Sequence, residues 1–412
     1  MLPDRRLRTR LLCSHPILIF SRPTLRPTAI QPAHFPWFDY SRYSFSLGLK
    51  AGAGAYLSGH TASEHDPVTK RMVVRGDMST QVRTAWKKIG AILEAAGYGY
   101  GDVVRVVEYL RPEGIDRYAE AAAVRAEVLG ANRPAVHTVP VKSLLRPEAF
   151  LEIEVTAGPV GAETRFGDGL PSARESAGVV FLPSVLPTDD QGNLIGAGDI
   201  GAQTQAIFEK AGRMLAATGL SFSNVVKTVD YLLPAGLSGY KATGKIRRQF
   251  LGPVYPGAAG ILMPKLCHPG ALIQYDFIAT RDTPVAVNPG WDRYQKLTYS
   301  PAVRAGKLLF MSGQGALDPA TERVVFDGDV VAQAEYTYGN VIKVLEAAGA
   351  GPEHLIKTIE YVIPAGLPRY REVAAVRSKL LRQPFPASTG LVCEALLRPE
   401  MMIEIDPFAI LD

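Results

Sequence analysis

Cysteine is scarce in this chain: three residues in 412, at positions 13, 267 and 393. So few thiols, so far apart, make no disulfide framework and no zinc pattern, and a reducing, cytoplasmic setting is expected. Long apolar runs are also missing. Nothing approaches the roughly 18 residues a membrane span requires, so no membrane partner is expected. A basic surplus is absent where it would count. Of the net charge of +5, residues 1–40 carry +4, through six Arg against Asp4 and Asp39. The remainder is nearly neutral, which argues against a nucleic-acid partner. Histidine is sparse as well, and His60 and His65 make no convincing metal pair without a third ligand. No metal and no cofactor are expected.

The Arg- and Pro-rich residues 1–40 show no sustained period. They read as a disordered or targeting extension, or as the product of an upstream start codon.

Repetition dominates the rest. The phrase VVEYLRPEGIDRY at 106–118 returns as TVDYLLPAGLSGY at 228–240 and as TIEYVIPAGLPRY at 358–370. Upstream of each lies a Gly-Asp followed by a helical pattern, with Gln81, Gln203 and Gln333 at one shared position. Downstream lie LLRPEAFLEIEVTA, LCHPGALIQYDFIA and LLRPEMMIEIDPFA. Three homologous units follow, at 41–158, 165–283 and 288–412, joined by GPVGAETRFGDG and DTPVAVNPGWD. Each is too long for a solenoid repeat and has the size of a small domain.

Within a unit, Trp86, Ile89, Ile92 and Leu93 recur at helical spacing and Gly97 is placed to end the helix. VVRVVEYL is β-branched and reads as a strand. A second helix is expected from about Tyr118 to Val128, then two closing strands. The order β-β-α-β-α-β-β predicts an α+β unit with two helices on one face of its sheet. Along VVRVVEYL, Arg105, Val107 and Tyr109 share one face, and Val106, Glu108 and Leu110 the other. The helix-free face is apolar too, so the units are expected to cover one another.

TYSPAVRAGKLLFMSGQGALDPATE, GD…Q…LEAAG, KTIEYV and FPASTGLVCEALLRPEMMIEIDPFAI are similar to stretches of the RidA/YjgF family of enamine/imine deaminases. The resemblance covers about 41–412, once per unit. It implies a chorismate-mutase-like fold, a central β-barrel with outer helices, and sites in the clefts between units. The chain then resembles the family's homotrimer written as one polypeptide, a monomeric pseudo-trimer open to higher assembly. The family's carboxylate-clamping arginine falls here on Val136, Ala258 and Ser388, and an asparagine of its second helix on Ala122, Gly244 and Ala374. Both are lost from all three units. The family's late acid, which helps activate water, matches Glu154, Asp276 and Asp406. Ion pairing to a neighbouring strand is the competing reading of these acids.

The acids Glu108, Asp230 and Glu360 stand where the family has an apolar residue; they are read either as salt bridges between units or as second catalytic acids. Tyr109, Tyr231 and Tyr361 are read as cleft-lining or packed in the core. Ser58-Gly59-His60 and Ser312-Gly313-Gln314 match a substrate-contacting loop of the family, which the middle unit replaces by Pro183-Ser184-Val185. Tyr299 matches a cleft tyrosine, replaced elsewhere by Phe45 and Pro171, and His137 is a further candidate. Cys393 reads as a buried structural thiol.

The expected function is a small-molecule enzyme acting on a C=N or C–N compound by carboxylate acid/base catalysis. Without the arginine it should prefer a neutral, cyclic or larger substrate. A ring-opening amidohydrolase like cyanuric acid amidohydrolase or barbiturase is the alternative. It needs a Ser–Lys pair per cleft, whereas Lys227 and Lys357 are matched by Arg105. A non-catalytic ligand-binding protein is the third reading.

Overall fold

The computed structural model describes residues 26–167 and 170–412. Cys13 and the Arg-rich start of the expected extension lie outside the described residues. The last part of that extension is instead built into the fold. Thr28–Ala29 pairs with Gly48–Ala51, and Phe35 and Phe38 pack on the neighbouring core.

Among the described residues there are three large sheets, each with two helices, and a small two-stranded sheet of Glu64–His65 and Met72–Val73. Helices α1 (Met78–Ala95) and α2 (Tyr118–Leu129) belong to the first, α3 (Ile200–Ala217) and α4 (Lys241–Phe250) to the second, and α5 (Val330–Ala347) and α6 (Val373–Leu380) to the third. Each sheet with its helices is called a unit below. The first helix of each unit starts where its aspartate caps it. Asp77 accepts from the Thr80 N–H at 2.9 Å, Asp199 from Gly201 at 2.8 Å and Asp329 from Val331 at 3.0 Å. Gly97, Gly219 and Gly349 stop these helices with φ of +79°, +76° and +76°. Trp86, Ile89, Ile92 and Leu93 are all buried. The repeated glutamine is a staple: the Oε1 atoms of Gln81, Gln203 and Gln333 accept from the N–H groups of Phe150, Leu272 and Met402, just before each closing strand.

The expected strand order holds, with short strands added to it. The linkers contribute edge strands, Glu163–Thr164 beside Ala173–Ser176 and Val285–Val287 beside Ala302–Ala305, as Thr28–Ala29 does in the first unit. In each sheet the phrase strand is central: Val103–Leu110, Val225–Leu232 and Leu355–Val362. It runs parallel to the strand that follows the second helix and antiparallel to the closing strand, in one shared register. Tyr109 faces Glu152, Tyr231 faces Gln274 and Tyr361 faces Glu404. The helix-free faces of all three sheets meet in one apolar core that includes Val107, Val229 and Ile359.

No closed β-barrel is found among the described residues, contrary to expectation, and the reason is local. Leu391–Val392 of the third sheet pairs with Ser143–Leu144 of the first unit, and Ile261–Leu262 of the second with Ala395–Leu396 of the third. These seams are reinforced by the Lys142 N–H to Val392 O and the Glu394 N–H to Leu262 O, both 2.9 Å. At the corresponding place in the second unit stands Pro264, with no N–H to give, and the strand it would meet ends on Pro140. Among the described residues no strand of the first unit therefore pairs with one of the second, although the Ser184 N–H donates to Val136 O at 3.3 Å. Among the described residues no helix is long and apolar enough to cross a membrane.

Candidate functional site

The acid of the repeated phrase points to the helix face of its sheet. Glu108, Asp230 and Glu360 are all buried, and each is held within its own unit. Its first partner is the tyrosine that closes the same phrase. Tyr118 donates to Glu108 at 2.6 Å, Tyr240 to Asp230, and Tyr370 to Glu360 at 2.6 Å. The second is an arginine two helical turns further on: Arg125, Arg247 and Arg377. Arg377 holds Glu360 through both carboxylate oxygens, at 2.9 and 2.8 Å. These acids tie strand to helix; they join no units and stand in no cleft.

Tyr109, Tyr231 and Tyr361 converge at the centre of the molecule. All are buried, and the Tyr231 and Tyr361 hydroxyls lie 3.4 Å apart.

Glu154, Asp276 and Asp406 do reach across units. Glu154 of the first unit lies 3.0 Å from Lys357 of the third and accepts from Thr389 Oγ1 at 2.8 Å, with Arg105 at 3.5 Å. Asp406 of the third pairs with Lys227 of the second. Asp276 of the second accepts from Ser184 Oγ at 2.6 Å and stands 2.9 Å from His137 Nδ1 of the first. Burial opposes the charge on Glu154 and Asp276, yet Lys357 and His137 respectively hold them below the ordinary range. Burial wins at Asp406 and raises it in spite of Lys227. His137 is wholly buried within this tie, and burial lowers its imidazole.

The loop residues hold the clefts shut at the backbone. Ser58 Oγ donates to Ser46 O at 2.6 Å and accepts from the Ser388 N–H at 2.8 Å. Ser312 Oγ does the same with Ser300 O and the Ala258 N–H, at 2.6 and 2.8 Å. His60 is buried, and burial together with Lys88 drops its imidazole to about 3. Gln314 Nε2 donates to Ser312 O at 3.2 Å. Tyr299 packs edge-on to Tyr294 at 5.5 Å.

Two acids that the sequence reading passed over complete these clefts: Glu152 and Glu404. Each lies two residues before the tied acid of its closing strand, on the same face. Neither forms a hydrogen bond or ion pair with a described residue. Burial pushes both carboxyls up to about 8. Glu152 packs on Gly59 and Glu404 on Gly313; an added Cβ at either glycine would strike the carboxyl, and would also meet Thr389 or Ala259 respectively. In the middle unit Gly59 becomes Ser184 and Glu152 becomes Gln274, so glycine and glutamate are lost together. That joint change was readable in the sequence. Around Glu404, Tyr294 and Tyr299 both lie in the field of Arg293 and of the carboxyl. Near Glu152, burial lowers the Lys88 ammonium to about 7.

The cleft between the first and second units is different. It holds a cavity of about 780 Å³ lined by Ala122, Val136, Pro171, Ser184 and Gln274 among others. The covering segment explains the opening. Residues 30–47 and 288–301 cover the other two clefts with Phe35, Phe38, Tyr294 and Tyr299, but only 165–172 separate the corresponding strands here. Among the described residues no cluster of three or more His, Cys, Asp or Glu is placed to hold a metal ion.

Mixed α+β units with buried acids in the clefts between them are the class of architecture the structure defines. Comparison with known proteins agrees with this class and gives the family. A model of the family described as Endoribonuclease L-PSP matches residues 40–158 and 294–411, and the chain belongs to that family, with the RidA/YjgF kinship expected above. A RutC family protein of Pyrococcus horikoshii is 37% identical over 27% of this chain and 85% of its own length. The 2-iminobutanoate/2-iminopropanoate deaminase of Mus musculus is 29% identical over 32% of this chain and 89% of its own. A crystal structure of chorismatase, 15% identical, covers 75% of this chain and 93% of that one with a TM-score of 0.52; this likeness concerns the fold alone.

Proposed function

We propose that the chain hydrolyses a small C=N compound with Glu152 and Glu404 as its acid/base groups, in the clefts of the first with the third unit and of the third with the second. The observation that carries this is the unpaired, buried carboxyl at each of these two sites, packed against a glycine whose added Cβ would displace it. A relative named as an iminobutanoate/iminopropanoate deaminase supports the C=N class. A carboxyl near 8 is protonated at neutral pH and gives its proton to the imine nitrogen. The resulting carboxylate takes a proton from water as the water oxygen bonds to carbon. Returning that proton to the nitrogen makes it a leaving group; as the C–N bond breaks, the hydroxyl proton passes to the carboxylate, leaving a carbonyl compound and ammonia and restoring the protonated carboxyl. With Val136, Ala258 and Ser388 in place of the arginine, a neutral imine suits these clefts.

In the same reading the three units are diverged copies, at 41–158, 165–283 and 288–412, and the chain works as a single-chain trimer in the cytosol. The free thiols of Cys267 and Cys393 suit a reducing compartment. Lys227 and Lys357 speak against the amidohydrolase reading, since both ammonium groups are engaged by carboxylates and by the Met311 and Leu57 carbonyls. The test is ammonia release from a panel of neutral ketimines. The double variant Glu152→Gln, Glu404→Gln should lose about 100-fold or more in rate with no fall in its melting temperature. Undiminished turnover in that variant would sink the proposal.

A further inference from the structure

In all three units an arginine of the second helix leans on the buried acid, but the rest of its guanidinium is used differently. Arg377 gives Nε to Ser44 Oγ, and Arg247 gives Nε to Thr298 Oγ1, both at 3.0 Å. Each hydroxyl sits in the segment that covers that cleft. Arg125 gives only Nη1, to Glu108 and to the Tyr118 hydroxyl. Its Nε and Nη2 meet no described partner. The Ser172 hydroxyl, the counterpart in the shorter segment here, goes instead to Glu163 at 3.1 Å, and the neighbouring Leu170 and Pro171 have apolar side chains. Arg125 keeps 17% of its side chain exposed, against 12% for Arg247 and 10% for Arg377, and it lines the 780 Å³ cavity. The walls there are apolar: Leu110, Ile115, Leu129 and Leu186. Gln274, wholly buried, lines the same cavity with its Oε1 unpartnered.

We infer that the cleft between the first and second units binds a small carboxylic acid with an apolar body, its carboxylate held by the free edge of Arg125. The Nε and Nη2 hydrogens of a guanidinium form a fork that matches a carboxylate through two parallel bonds. Glu108 occupies the other side of the same group, which keeps the fork in place before the ligand arrives. Arg133, at the rim of the cavity, adds a second positive charge. Gln274 Oε1 takes a hydrogen bond from any N–H or O–H the ligand carries. The strand position that lost its arginine, Val136, faces this cavity too, so recognition passes from strand to helix. This site is separate from Glu152 and Glu404 and stands without them.

The test is calorimetric titration of the full chain with biphenyl-4-carboxylate and with its neutral partner biphenyl-4-carboxamide. The acid should bind and the amide bind about tenfold more weakly or worse. Arg125→Lys keeps a charge opposite Glu108 but has no fork, and should weaken the acid about tenfold while leaving the amide unchanged. Ala122→Phe, one turn from Arg125 and facing the cavity, should abolish binding of both. The double variant Glu152→Gln, Glu404→Gln should bind the acid as the wild type does. Equal binding of acid and amide, no binding of the acid, or unchanged binding in Ala122→Phe would overturn the inference. Should Arg125→Lys fail to fold by circular dichroism, Ala122→Phe and the amide comparison decide it.

Discussion

The cleft between the first and second units and its two counterparts differ in three linked ways. The two counterparts have a glycine under a free glutamate, a long aromatic cover, and a helix arginine bonded to that cover. The third has Ser184 and Gln274, a short cover, and an arginine with an unused edge. Its seam also lacks the backbone bond that Pro264 cannot make. Within one chain, then, the same scaffold is built twice around an acid and once around an open space. Loss of the acid and loss of the cover go together, which is what a division of labour between chemistry and binding would produce.

Breaking the helix ties should separate the clefts most strongly. Arg377→Met leaves Glu360 charged and buried without its cation, and should destabilise the protein by about 3–5 kcal/mol. Arg125→Met should cost less than half of that, because Arg125 lines the cavity and its removal opens a path for water to Glu108. Urea denaturation midpoints check both. Next comes the contrast between tied and free acids. Glu154→Gln strands Lys357 in the interior and should cost about 3 kcal/mol. Glu152→Gln removes no partner and, at pH 5 where it replaces a protonated carboxyl, should shift stability by less than about 1 kcal/mol while lowering turnover.

Gly313→Ala should push the Glu404 carboxyl aside and cut ketimine turnover about tenfold, measured as ammonia release, with an unchanged far-ultraviolet spectrum. The pH dependence is subtler. A carboxyl whose folded pKa is raised contributes stability that is fully present below its unfolded value near 4.5 and is lost as pH rises through about 8. The wild type should therefore lose stability between pH 5 and pH 9, and the Glu152→Gln, Glu404→Gln variant should lose less, as thermal melts at both pH values will read. The smallest effect concerns the open seam. Pro264→Ala restores an N–H, and its amide should exchange with solvent as slowly as those of Lys142 and Glu394, with stability changed by about 1 kcal/mol at most.

Much of this fold was legible in the sequence, because its signals are local. The Gly-Asp caps, the Ala-Gly stops and the shared glutamine each report one turn of chain. The alternation of Arg105, Val107 and Tyr109 against Val106, Glu108 and Leu110 correctly separated the two faces of the strand. The partner of Glu108 was within reach too, since Tyr118 closes the same phrase and Arg125 follows at helical spacing. The site was less legible. Glu152 and Glu154 share a face, so alternation cannot say which one is tied. That depends on Lys357, a residue of another unit some two hundred positions away in sequence. The edge strands were hidden in linkers too short to show a period, and the open seam needed Pro140 and Pro264 to be seen opposite one another.

The account turns on free and tied acids lying side by side on one strand. Carbon-13 NMR titration of the glutamate carboxyls, assigned with Glu152→Gln and Glu404→Gln, measures this directly. Glu152 and Glu404 should both titrate near pH 8, with Glu154 remaining charged down to below the ordinary carboxylate range. Titration of Glu152 and Glu404 at an unperturbed value of about 4.3 would contradict it.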